Sequence, residues 1–118
     1  METDKEIMAF SQSEKVKSGI IWVSQTLGMI EGLSGGEKTG SEKTVIAILN
    51  MIVHEVNLAR TISEDERWEG IGPDIDNAIL MINSGVSQEA ITHLSRALSK
   101  VTNIGQQSML SLRGKKLL

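Results

Sequence analysis

Apolar residues recur along this chain with helical period in four stretches, and no run alternates as a half-buried strand does. Ala9, Val16, Val23 and Ile30 repeat every seven residues, and Ser13, Ile20 and Leu27 fill the companion positions of the same face. That spacing predicts one long helix over about 4–31. Val45, Leu49, Ile52, Val56 and Ala59 step by four, three, four and three residues, with Ser41 placed to cap them. They predict a second helix over about 42–63. Pro73 suits a first helical position, with Asp74 and Asp76 in the first turn. Ile75, Ala78, Ile79 and Ile82 then make a short stripe that ends at Gly85, predicting a helix over 73–84. Ser87, Gln88 and Glu89 open a fourth helix, 88–112, whose face is Ile91, Leu94, Leu98, Val101, Ser108 and Leu112. Gly105 marks a place on that face where another backbone comes close.

Turn-forming residues separate these stretches at 32–41, 63–73 and 83–87. Amphipathic helices joined by short or glycine-rich links predict an all-α, antiparallel four-helix bundle, one domain over 1–118. The competing arrangement has three long helices, with 73–84 lying across one end. The last two segments read as one helical hairpin, "DNAILMINSGVSQEAITHLSRAL", about a fifth of the chain. Its pattern of Ala, Gly, Ala and Leu resembles that of tetratricopeptide-type helix pairs and flagellar export chaperone bundles. These are small residues that any close-packed hairpin uses.

The second helix is too apolar for a simple bundle. Beside its core stripe, Ile48 and Ile62 widen the apolar arc on one side, and Ile46 and Val53 widen it on the other. Met51, Ala47 and Leu58 carry it further, leaving only Asn50, His54, Asn57 and Thr61 as a polar strip. A helix that is apolar nearly all round is one buried by more than one layer. The first helix repeats the pattern, with Ile7, Phe10 and Ile21 roughly opposite its core face and Trp22 and Met29 on a third flank. The expectation is self-association through an interface that includes Phe10, Ile21, Trp22, Ile46, Met51, Val53 and His54.

Composition narrows the chemistry. There are one Phe, two Trp, no Tyr and six Met, so the core is aliphatic with soft thioether filling. There is no cysteine, which removes disulfides, thiol catalysis and thiolate metal sites. A formal charge of −3 offers no general field for nucleic acid. The charged start "METDKEIMAF" lacks the apolar run of a signal peptide. No segment has the roughly 18 consecutive apolar residues of a membrane span. The expectation is a cytoplasmic protein with neither a nucleic-acid nor a membrane partner. Residues 64–76 hold six carboxylates against Arg67, whereas 86–118 hold five basic residues against Glu89, so connector and last helix are placed to attract each other.

The candidate chemical residues are few. Glu55 falls inside the apolar arc, a costly place for a carboxylate without a partner, and Arg60, Arg96 and Lys100 are the candidate partners. A register-fixing contact fits it better than acid–base work, because no nucleophile or second inward carboxylate accompanies it. Neither His54 nor His93 has the Glu-x-x-His spacing of bundle metal sites, and neither points to the bundle axis. "SGGEKTGS" has Glu37, not Gly, before Lys38 and no strand leading in, so it is not a phosphate loop. Trp68 reads as a plug for the bundle end, or else as a partner anchor. No cofactor is expected. The functional expectation is a small homo-oligomeric interaction or adaptor module, a chaperone-like role toward a partner helix being one form of it. The alternative is a metal- or small-ligand-binding bundle with its site across a dimer.

Overall fold

The seven-residue seam of the first segment runs unbroken through α1, Thr3–Ile30, where Ala9, Ser13, Val16, Ile20, Val23, Leu27 and Ile30 are all buried. The other elements are α2 (Gly35–Ile62), a 3-10 turn at Glu66–Trp68, α3 (Ile71–Asn83) and α4 (Ser87–Gly114). The computed structural model describes residues 2–118, and no strand occurs among them. The architecture is an all-α four-helix bundle, 53 Å long and 22 × 18 Å across.

Side-chain contacts set the order and direction of the helices. Lys5 Nζ donates to the Glu64 carbonyl near one end of α1, and Gln12 reaches Glu55 a few turns on, so α1 and α2 are antiparallel. Glu6 meets Ser108, and Gln88 donates to Glu31 at the opposite end, which makes α4 antiparallel to α1 as well. The third helix lies alongside α4 rather than across an end. Lys100 of α4 pairs with Asp74 at the start of α3 at 2.7 Å, and the two helices join at 84–86. Gly85 takes a positive φ there, the left-handed conformation that glycine adopts without a Cβ clash. Ser87 Oγ then donates to the Glu42 carboxylate of α2.

Three helices have 28 residues and α3 has 13, so about 42 Å of helix faces about 20 Å. The connector fills the space this leaves. Trp68 is 1% exposed and belongs to the core, which is the plug its position suggested. The rest of the core is aliphatic, with Ile20, Leu27, Leu49, Ile71, Ile75 and Leu94 fully enclosed.

Two boundaries differ from the sequence expectation. The glycine-rich 32–41 is not a loop: the link is only 31–34, and Ser34, not Ser41, precedes α2. Once 45–59 is held by packing, the helix propagates backward one hydrogen bond per residue, which outweighs the propensity loss of roughly 1 kcal/mol at Gly40. Glu37 in the first turn suits the positive end of the helix dipole. The hydroxyls of Thr39 and Thr44 turn back to the Gly35 and Gly40 carbonyls. The third helix starts at Ile71, two residues before Pro73, because Ile71 is wholly buried and extends the stripe of Ile75 and Ala78. Pro73 still falls in the first turn, where its missing N–H leaves no helical bond unmade.

At Gly105, α4 lies tight against Ser13 of α1. A Cβ added there would lie 2.5 Å from Ser13 Oγ. Gly105→Ala is therefore expected to destabilise the fold by about 1–3 kcal/mol despite alanine's better helix propensity. Adding Ser13→Ala should restore most of the loss in thermal melts followed by circular dichroism. A Gly105→Ala protein that melts at or above wild type would show that the contact is not tight.

Candidate interaction surface

The apolar excess of α1 and α2 comes to lie on two different flanks. On α1, Trp22, Thr26 and Met29 follow one another at helical spacing, one step beside the core stripe, and Leu33 of the link lies beyond them. On α2, Ser41, Thr44, Ile48, Met51 and Glu55 do the same. The antiparallel pairing sets these ridges side by side, with two shallow grooves between them. One, of about 330 Å³, is lined by Lys15, Val16, Gly19, Trp22, Ile48, Met51, Ile52 and Glu55. The next, of about 370 Å³, runs on past Ile48 to Thr26, Met29, Leu33 and Thr44. Trp22 is 67% exposed, Met29 77% and Met51 61%, the degree of exposure of surface residues rather than of core residues turned slightly outward. Large apolar side chains grouped this way mark a contact surface.

Trp22 and Met51 of the expected interface are thus brought together. The other five are not part of this face. Ile46 and Val53 are half-buried and packed against the core, on the flank of α2 away from α1, where α3 is the neighbour. A single chain covers them in part, and they lie apart from Trp22 and Met51. Phe10 is half-buried in the α1/α4 groove beside Gly105 and Met109. Ile21 is half-buried, and His54 is exposed on the polar strip of α2 with Asn50 and Asn57.

Glu55 lies at the rim of the first groove, half-buried rather than buried. Its partners come from α1: Lys15 Nζ lies 2.6 Å from Oε1, and Gln12 Nε2 donates to Oε2 at 2.7 Å and to the Glu55 carbonyl at 2.9 Å. None of the expected partners reaches it, since Arg60 pairs with Glu69 and Lys100 with Asp74. The hydrogen bonds from Lys15 and Gln12 hold the Glu55 carboxyl below its ordinary range. These bonds favour its ionised form and link α1 to α2 at this level.

Composition by residue number, rather than spacing, carries the signal that sequence reasoning missed. Residues 18–30 contain no charged side chain, and neither do residues 44–53. Pairing lays these two runs against each other, Gly19 opposite Ile52 and Trp22 near Met51, as an uncharged band between charged ends. Leu33 and Met29 enlarge it at the tip. By length and composition α2 is apolar enough to cross a membrane. Its most apolar stripe, Val45, Leu49, Ile52 and Val56, is packed inside the bundle. The uncharged run on α1 is about 18 Å long, against about 30 Å of bilayer hydrocarbon.

A second cluster is ionic and internal. Arg67, in the 3-10 turn, places Nε 2.9 Å and Nη2 2.7 Å from the two oxygens of Asp65, and Nη2 lies 2.9 Å from Glu6 Oε1. Its Nη1 donates to Gln107, and Ser108 donates to Glu6. Glu6 and Asp65 are almost wholly buried, so this knot ties α1, the connector and α4 together. Burial raises the Asp65 pKa, and the Arg67 side chain and backbone N–H outweigh it, leaving the carboxyl below its ordinary 3.8. No group of three His, Asp or Glu among the described residues is placed to hold a metal ion.

The fold defines an all-α helical bundle, and the exposed α1/α2 face is what sets it apart from a bundle with a polar exterior. Compared with family models, with curated proteins and with solved structures, the chain matches none. The small-residue likeness of the α3–α4 hairpin therefore assigns it to no family.

A carboxyl whose pKa is depressed on folding contributes stability above its unfolded pKa and loses it as pH falls through the folded value. Thermal stability is therefore expected to fall below about pH 4, and Asp65→Asn should start lower at pH 7 and lose less on acidification. Arg67→Ala strands two buried carboxylates and should cost roughly 3–5 kcal/mol in urea unfolding. Equal acid sensitivity in wild type and Asp65→Asn would remove Asp65 from this role.

Proposed function

We propose that this protein works through protein–protein contacts, with the α1/α2 face as its working surface: a small, cytoplasmic interaction or adaptor module. One observation carries the reading, the exposure of Trp22, Met29 and Met51 together on a band free of charge. Apolar area of this size is costly in water, about 25 cal/mol for each Å². Trp is also the residue most often found at the energetic centre of an interface. A groove between two antiparallel helices fits the apolar stripe of another helix, so the partner surface is helical. A chaperone-like role toward a partner helix is one form such a module takes, and homo-oligomerisation is another. Nucleic acid is a poor partner for a chain of charge −3.

A photo-crosslinking amino acid put in place of Trp22 or of Met51 should give discrete protein adducts in living cells. The same residue in place of Asp76, which is exposed on α3, should give none. Crosslinking that is equal at the three positions, or absent from Trp22 and Met51, would refute the α1/α2 face as the working surface.

A further inference from the structure

We infer that the occupant of the α1/α2 face is a second copy of this chain, docked about a two-fold axis so that Trp22 of each copy enters the Gly19 groove of the other. The inference rests on the reading of that face as a protein contact surface and adds the partner and the mode of docking.

The face carries both halves of one fit. The projecting half is Trp22, which stands on the wall of the groove. The receiving half is the groove itself, open because residue 19 has no side chain. A Cβ at Gly19 would meet Ile52 Cδ1 at 3.1 Å, so the glycine sits directly over the α1–α2 contact and leaves Val16, Ile48, Met51 and Ile52 to line the hollow. A surface needs only one of these to bind an unrelated partner. A two-fold pair uses both, because in such an interface each element meets its complement twice.

Charge favours the same face. Each chain carries −3, so two copies repel over most orientations. The excess negative charge lies in 64–76, on α3, which is diagonal to α1, and on the connector, which meets α1 at Lys5 and Glu6, well before the band begins at residue 18. The band over 18–30 and 44–53 is neutral, and Lys15 and Glu55 at its rim already neutralise each other. Two copies brought together here meet no like charge at the centre of the contact.

Area agrees as well. From Lys15 to Ile30 the ridge of α1 is about 22 Å long, Leu33 of the link adds to it, and two adjacent helices are about 20 Å wide. Each copy then offers roughly 500 Å² in plan, and the pair covers on the order of 1,000 Å², the lower bound for a specific interface. A dimer that dissociates at micromolar concentration is the corresponding expectation.

The test uses light scattering and sedimentation of the full chain up to the order of 100 µM, with dissociation constants from the concentration dependence. Trp22→Ala removes the projection, and Ile48→Trp fills the groove. Both positions are at least one-third exposed, so melting temperatures should stay near wild type. Each variant alone should weaken the dimer by about tenfold or more. An equimolar mixture of the two should associate more tightly than either alone, since one Trp22 and one open groove remain matched. A wild-type monomer throughout overturns the second copy as occupant, and leaves the face to be judged by crosslinking. A dimer indifferent to Trp22→Ala places association elsewhere and overturns the inference. Loss of the dimer in both variants without rescue on mixing overturns the exchange of Trp22 while retaining the face. Should Ile48→Trp fail to fold, Met51→Trp fills the same groove from α2 and is read in the same way.

Discussion

Arg67 holds together a bundle that its helices alone do not close. Because α3 is less than half as long as its neighbours, half of the bundle lacks a fourth wall. The connector supplies one, with Trp68 filling the space and Arg67 joining Glu6 on α1 to Asp65 and to Gln107 on α4. A guanidinium suits this place, since its planar fork satisfies a carboxylate bidentately and has donors left for a second. The arrangement stabilises through geometry, not through charge alone. Removing the carboxylates' shared partner would leave two buried anions, which is why the connector depends on one side chain.

The same short α3 explains why the two flanks of α2 have different fates. On the flank away from α1, where α3 is the neighbour, Ile46 and Val53 are half-buried and pack against the core. On the opposite flank the neighbour is α1, and a groove between two helices has no third layer above it. Thr44, Ile48 and Met51 therefore meet water beside Trp22 and Met29. Gly19 makes room for the Ile52 side chain and keeps the groove hollow instead of filling it. At the rim of this contact Glu55 is held by Lys15 and Gln12.

Much of the fold was legible in residue order. The core stripes of α1 and α2 were visible in full as spacing, and those of α3 and α4 in part: Ala90, Ala97 and Ile104 take core places beside Leu94 and Val101, whereas Ile91 and Leu98 are only half-buried. Gly85 and Gly105 were legible as a helix end and a close approach. The errors have physical causes. "GLSGGEKTGS" looked like a loop because glycine lowers helix propensity, a local quantity of roughly 1 kcal/mol per residue that cooperative extension from a packed segment exceeds. Arg60, Arg96 and Lys100 were poor candidates for Glu55 because a helical wheel shows one helix and not the helix lying against it. Lys15, the actual partner, is forty residues away in sequence.

What sequence alone determined is the set of amphipathic helices, their aliphatic cores and the presence of more apolar surface than a polar-coated bundle shows. These follow from periodicity, which is a property of each segment by itself. Only tertiary structure decided which part of that surplus stays outside. Whether Val53 or Met51 is covered depends on which neighbour lies over each flank and how far that neighbour extends. That is a matter of helix lengths and pairing across the whole chain, and no single stretch of residues contains it.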